Sequence, residues 1–124
     1  MKTCTCGVNI SEHPASRCLD ALVAVTFFEY TRYIQTGFVA EHHHIRNKEN
    51  EIVYTPHYSS DIAAAMELAD EMSAKNYWYY LGNLSSVCYA IFEDVKTRTQ
   101  YRGEAKVYDL PLAITRAACL TAEE

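Results

Sequence analysis

The sequence contains few residues that interrupt regular structure: three of its 124 residues are proline and four are glycine. Hydrophobic residues make up 49% of the chain, which argues against a disordered or repetitive protein. The length is typical of one folding unit, so we predict a single domain over residues 1–124. We divide it into an N-terminal arm, 1–15, and a packed region, 16–124.

Several functional signatures are also missing. No apolar run reaches the roughly eighteen residues of a membrane span, and the N-terminal MKTCTCGVN lacks the apolar centre of a signal peptide. We therefore expect a cytoplasmic protein without a membrane partner. P-loop, G-x-G-x-x-G and H-E-x-x-H motifs are absent, as are paired acids suited to two-metal chemistry. We predict that the protein is not an enzyme and uses no cofactor.

Positive charge is in the minority, because 16 acidic residues outnumber 11 basic ones and the formal net charge is −5. The basic residues are scattered along the chain rather than clustered. Nonspecific binding to a nucleic acid duplex would have to overcome long-range repulsion. We therefore expect no bulk nucleic acid partner.

Three segments have the pattern of helices. Residues 16–30 carry an apolar stripe, with Asp20 off that stripe. Residues 60–73 follow a turn that contains Pro56 and His57, where Ser59 or Ser60 can cap the helix. A serine next to a histidine also has the composition of a nucleophile and its base, but capping is the simpler explanation. The last helix begins with Asp109 as its N-cap and has Pro111 in its first turn.

The segments YWYYLGN, SSVCYAIFEDVKTR and QYRGEAKVYD are rich in aromatic and β-branched residues and predict three antiparallel strands. The middle strand is apolar on both faces, so we expect helices on both sides of it. Residues 31–50 indicate a long excursion with short extended pieces. The predicted fold is α+β: a small antiparallel sheet of three strands, or four, layered between helices in the order α-loop-α-β-β-β-α.

Two clusters contain residues that bind metals. Cys4, Cys6, His13 and Cys18 form the pattern C-x-C-x6-H-x4-C, which offers four ligands to zinc, although the spacing differs from the common C-x2-C knuckle. The three histidines at 42–44 are better explained as a solvated turn. Five cysteines are an odd number, which favours free thiols over disulfides. We assign no metal, and a structural zinc in the arm remains an alternative.

Aromatic residues and arginines occur close together near the predicted sheet. Tyr80 belongs to a run of four aromatic residues, and Arg98 and Arg102 lie on or beside the later strands. Aromatic rings stack on nucleobases and guanidinium groups bind phosphates, so this mixture can form a pocket for a nucleotide-type ligand. Alternatively, the tyrosines fill the faces of the sheet and an oligomer interface.

The last helix is apolar nearly all round, since Leu112, Cys119 and Leu120 lie off the face that contains Ile114. Such a helix has two neighbours, and we expect the second to belong to another subunit of a homo-oligomer. Arg116 lies about 200° around the helix from Ile114. We predict that it meets an anionic ligand there, and that Ser16 and Arg17 contribute if the first and last helices are neighbours.

The ordered set LDALVAV, YTPHYSSDIAAAMELADEM, Trp78, VCYAIF and LPLAITRAACL resembles the phage ABA sandwich domain over about residues 18–122. The resemblance implies helix–sheet–helix layering and an infected or lysogenic bacterial host. In size, layering and a late-helix arginine the chain also resembles Thoeris anti-defence sponges, which sequester cyclic ADP-ribose-type and cyclic oligonucleotide immune signals. By this analogy we expect a counter-defence sponge, with ligand contacts from Arg116, Ser16, Arg17, Arg98, Arg102 and Tyr80. The alternative is a protein-binding accessory module that inhibits or recruits a host protein.

Overall fold

A computed structural model of the protein describes residues 3–4, 6–32 and 44–122. The helices are α1 (Arg17–Phe27), α2 (Ile62–Ala74) and α3 (Leu110–Thr121), preceded by a 3-10 turn, Ile10–Glu12. The strands are β1 (Thr31–Arg32), β2 (His44–Arg46), β3 (Ile52–Tyr54), β4 (Tyr77–Leu84), β5 (Val87–Asp94) and β6 (Gln100–Lys106). The α+β class is therefore confirmed. None of the helices in these ranges has the length and apolar character that a bilayer crossing demands.

The main sheet has three antiparallel strands in the order β4-β5-β6, as the sequence predicts. No fourth strand joins it within residues 44–122 or the described part of the N-terminal region. The short extended pieces expected in the excursion pair with one another instead, in a separate antiparallel sheet of order β1-β2-β3. His44 begins β2, whereas His42 and His43 lie outside the described residues.

The two faces of the main sheet differ in burial. The inner face contains the buried Cys88, Ala90 and Phe92, and it is covered by α2 and α3. Helix α3 lies so close that a Cβ atom on Gly103 would be 2.3 Å from the Ala113 carbonyl oxygen. The outer face is formed by the alternate residues Trp78, Tyr80, Gly82, Leu84, Val87, Tyr89, Ile91, Glu93, Gln100, Arg102, Glu104 and Lys106.

Most of the outer face is exposed or half-exposed, and no helix among the described residues packs on it. The expectation of helices on both sides of the sheet is therefore not met in the part of the chain that the structure describes. Long side chains cover this face instead. The ring of Tyr89 lies across Gly82, where an added Cβ would be 2.6 Å from the tyrosine oxygen.

Helix α3 is buried on nearly all sides by its own chain. Leu112 and Cys119 are 9% and 1% exposed, and α3 contacts β5, β6, α1, α2 and the 3-10 turn. The apolar circumference that suggested a second subunit is thus explained by intrachain neighbours. The sequence pattern shows how many sides are covered, but it does not show which element covers each one.

The turn before α2 connects the helices to one another. Asp61, rather than Ser59 or Ser60, is the N-cap of α2, and its carboxylate accepts from the Ala63 N–H. Ser59 instead donates through its backbone N–H and its Oγ to Asp20 Oδ1, at 2.8 and 2.6 Å. Asp20 is 1% exposed. These hydrogen bonds offset the cost of burying its carboxyl group.

Candidate functional site

Two large aromatic side chains are exposed on the outer face at the edge strand β4. Trp78 is 46% exposed and Tyr80 is 48% exposed. They are two residues apart in a strand, so both point to the same side of the sheet. Together with Ser73 and Tyr79 they line a shallow groove of about 510 Å³.

The turn between β5 and β6 places Arg98 beside this groove. Asp94 Oδ1 accepts from the N–H groups of Lys96 and Thr97, and Arg98 has a left-handed backbone with φ of 64°. The guanidinium carbon lies 5.2 Å from the centroid of the Trp78 ring. This distance is within the range of a cation–π contact.

Arg102 occupies the next part of the outer face. It pairs with Ile91 in the register of the sheet, and Ile91 in turn pairs with Tyr80. Its guanidinium carbon lies 4.5 Å from the ring centroid of Tyr89. Three of the six residues predicted to bind ligand, Tyr80, Arg98 and Arg102, are therefore brought together on one surface.

Each of these arginines has a carboxylate partner. Arg98 Nε donates to Glu93 Oε2 at 2.5 Å, and Arg102 Nε donates to Glu104 Oε2 at 2.7 Å. Gln100 donates to the other oxygen of Glu93 at 2.7 Å. This hydrogen bond and the Arg98 guanidinium lower the pKa of Glu93, because both stabilise its ionised form. The arginines could be predicted from the sequence, but the acids that orient them could not.

Ser16 and Arg17 are engaged within the helical side of the molecule. Ser16 is the N-cap of α1 and accepts from the Leu19 N–H. Arg17 donates to Asp20 Oδ2 at 2.8 Å and to the Thr55 carbonyl oxygen. Ser16 also donates its backbone N–H to Ser59 Oγ at 3.1 Å, so both residues fix α1 to the segment that precedes α2.

Arg116 also contacts its own chain. Its Nε donates to the His13 carbonyl oxygen at 2.9 Å, and one terminal nitrogen donates to the Glu104 carbonyl oxygen at 2.6 Å. Partial burial lowers the pKa of Arg116. Helices α1 and α3 are neighbours, which was the condition set for a contribution from Ser16 and Arg17. However, the described contacts of Ser16, Arg17 and Arg116 join protein segments, and none of the three lies on the outer face.

A second polar groove, of about 520 Å³, lies between the end of α1 and α2. Its charged side chains form exposed ion pairs, Lys48 with Glu29 at 2.8 Å and Lys75 with Glu71 at 2.7 Å. Exposed pairs of this kind contribute little and are common on protein surfaces. It contains none of the predicted ligand residues, so we place the candidate site on the outer face.

The cysteines of the arm converge with His13. The ligand atoms of Cys4, Cys6, His13 and Cys18 all lie within 4.8 Å of one another. The Val8 N–H is the main cause that lowers the pKa of Cys6 to about 7, whereas burial raises the pKa of Cys18 to about 12. The described part of the arm therefore brings its potential metal ligands together with Cys18, although we had assigned no metal to them from the sequence.

Comparisons with known proteins address the fold. No protein-family model and no curated protein matches the sequence. The chain is similar to a phage protein from Bacillus cereus ATCC 14579, whose crystal structure was determined at 2.0 Å. The two chains are 16% identical and superpose with a TM-score of 0.64, over 90% of this chain and 95% of the other. At this identity the likeness shows a shared fold and nothing further.

Proposed function

We propose that the protein is a non-enzymatic phage accessory protein that binds a small nucleotide-type ligand on the outer face of its main sheet. Its role would be to sequester an immune signal such as a cyclic oligonucleotide or a cyclic ADP-ribose-like molecule. The fold shared with a phage protein supports the phage part of this proposal. The resemblance of the sequence to anti-defence sponges motivates the class of ligand.

The observation that carries the proposal is the exposure of Trp78 and Tyr80 side by side, with Arg98 and Arg102 on the same surface. Large aromatic rings are costly to leave in water, and stacking on a nucleobase would remove part of their exposed area. The groove at β4 would hold the base. The arginines lie on the same surface, where they would bind the phosphates of the same nucleotide.

The carboxylates orient the two arginines and occupy only one of the N–H donors of each. Glu93 and Glu104 each accept from an Nε–H, while a guanidinium carries four further N–H donors on its two terminal nitrogens. A phosphate can be bound by those terminal donors in a bidentate arrangement. Because each side chain is already oriented by its acid and by an aromatic ring, less conformational entropy is lost on binding.

Isothermal titration calorimetry against a panel of cyclic dinucleotides, cyclic trinucleotides and cyclic ADP-ribose tests the proposal. We expect at least one member of the panel to bind, and the Trp78→Ala variant to bind it more weakly. The matched control is Tyr108→Asn, because Tyr108 is 92% exposed and lies outside the outer face. Weakening by the control as well would contradict the location of the site.

A second candidate function is recognition of a protein, favoured by one feature of the same surface. Leu84 is 56% exposed at the end of the outer face, opposite half-buried Val87, and half-buried Ile91 lies further along the same face. A mixture of apolar residues, aromatic rings and arginines paired with acids is typical of protein interfaces. The partner would be a host protein or a second copy of this chain in a homo-oligomer. If the wild-type protein binds no nucleotide in the panel, this alternative is favoured.

A further inference from the structure

We propose that Cys4, Cys6, His13 and Cys18 bind one Zn²⁺ ion in a closed tetrahedral site that holds the N-terminal arm on the helices. This site is separate from the outer face and does not depend on the proposed ligand. Three thiolates and one imidazole are a common ligand set of structural zinc.

The distances between the ligand atoms fit a tetrahedral zinc complex. With Zn–S bonds of about 2.3 Å and a Zn–N bond of about 2.0 Å, sulfur atoms lie about 3.8 Å apart and sulfur and nitrogen about 3.5 Å apart. Cys4 Sγ and Cys18 Sγ are 3.5 Å apart, and Cys6 Sγ is 3.2 Å from His13 Nε2. Since no pair exceeds 4.8 Å, movements of about an ångström would complete the tetrahedron.

The local sequence builds one half of the site. Gly7 follows Cys6 with φ of 93°, a backbone conformation that disfavours other residues. The Gly7 N–H donates to the Cys4 carbonyl oxygen, and the Cys4 N–H donates to the Val8 carbonyl oxygen, both at 2.8 Å. This tight turn directs two cysteines toward the same point.

His13 is oriented so that one nitrogen faces the thiols. Its Nδ1 lies 2.8 Å from the Pro14 carbonyl oxygen. Because a carbonyl only accepts hydrogen bonds, Nδ1 carries the proton and the lone pair of Nε2 points toward Cys6. Histidines that bind zinc usually have such a backbone or carboxylate partner on the other ring nitrogen.

The position of the four ligands indicates a structural role. They come from the arm and from α1, and four protein ligands leave zinc no open position for a substrate. His13 also accepts through its carbonyl oxygen from Arg116 on α3. Zinc would therefore connect the arm, α1 and α3 at a single point, at a site where Cys4 and His13 are each 3% exposed.

Metal analysis of the protein purified under reducing conditions from a zinc-supplemented culture tests this proposal. We expect one zinc per chain, and replacement by Co²⁺ to give the visible absorption bands of a tetrahedral thiolate site. In Cys6→Ser, which changes the exposed cysteine, zinc content should fall at least tenfold. In Cys88→Ser zinc should be retained, because Cys88 is a buried thiol of the main sheet.

Three results would overturn the proposal. One is wild-type protein without zinc, with all thiols free or with a Cys4–Cys18 disulfide detected by mass spectrometry. Another is a cobalt spectrum without tetrahedral thiolate bands, a measurement that needs no variant and does not depend on variant folding. The third is zinc that remains in both Cys6→Ser and Cys18→Ser, because the ion would then be bound elsewhere. None of these results bears on nucleotide binding by the outer face.

Discussion

The helical side of the molecule and the outer face of the sheet use arginine in different ways. On the helical side, Arg17 and Arg116 donate to backbone carbonyl oxygens of distant segments, and Arg17 also donates to the buried Asp20. On the outer face, Arg98 and Arg102 donate to carboxylates and lie over aromatic rings. The first pair joins parts of the fold, whereas the second pair is presented on an exposed surface.

This difference identifies which residues are available for function. A guanidinium bonded to two carbonyl groups stabilises the native state, and a ligand would have to compete with the fold for it. A guanidinium whose Nε is held by an acid keeps its terminal donors directed outward. We therefore expect changes on the helical side to alter stability, and changes on the outer face to alter binding.

The largest effect on stability is expected when glycine is changed to alanine on the inner face of the sheet, and the same change on the outer face is its control. Gly103→Ala would place a Cβ 2.3 Å from the Ala113 carbonyl and 2.5 Å from the Ala117 nitrogen, which are backbone atoms of α3. We predict a loss of about 3 kcal/mol in the free energy of unfolding, measured by urea denaturation. The nearest atoms to a Cβ in Gly82→Ala belong to the far end of the Tyr89 side chain rather than to backbone, so this change should cost less than about 1 kcal/mol. Equal losses would contradict the assignment of the two faces.

A smaller effect is expected for Arg116. Arg116→Ala removes two hydrogen bonds to carbonyl oxygens, so we predict a loss of about 2 kcal/mol in unfolding free energy. Arg116→Lys should recover little of it, because an ammonium group lacks the planar fork that spans two acceptors. Nucleotide affinity should not change in either variant. Abolished affinity with unchanged stability would instead support the sequence-based prediction that Arg116 binds ligand.

The sequence predicted the elements better than their arrangement. The helices and the three strands of the main sheet follow from local periodicity, and their bounds differ by only a few residues from those in the structure. Periodicity did not show that α3 is surrounded by its own chain, or that no helix in the described part of the chain covers the outer face of β5. Those facts depend on how the layers pack. The residue types of Tyr89 and Ile91 are compatible both with a covering helix and with partial exposure to solvent.

The candidate site shows the same limit. The sequence indicated that aromatic residues and arginines occur together, and Tyr80, Arg98 and Arg102 do share a surface. It did not reveal how Arg17 and Arg116 bond to their own chain, because their partners include backbone carbonyl groups 12 to 103 residues away. It did not lead us to assign a metal to the arm, because the C-x-C spacing is uncommon in zinc sites. The turn at Gly7, which brings the ligands together, is visible only in the structure.

The smallest effect is expected from the pH dependence of the outer face. The hydrogen bonds from Gln100 and Arg98 lower the pKa of Glu93, so their contribution to stability is fully present above the ordinary pKa of 4.5 and is lost as the pH falls through the lowered pKa. Thermal unfolding below pH 4.5 should therefore show a larger loss for the wild type than for Glu93→Gln. An identical pH profile in the two proteins would mean that the pair with Arg98 is too exposed to contribute.

The most direct test of the account compares nucleotide affinity in one variant from each side of the molecule. For a cyclic nucleotide that the wild-type protein binds, calorimetry should show that Trp78→Ala weakens binding by about 2 kcal/mol, or about thirtyfold. Arg116→Ala should bind that nucleotide as the wild type does. The reverse result, with affinity lost in Arg116→Ala and kept in Trp78→Ala, would contradict the assignment of ligand binding to the outer face.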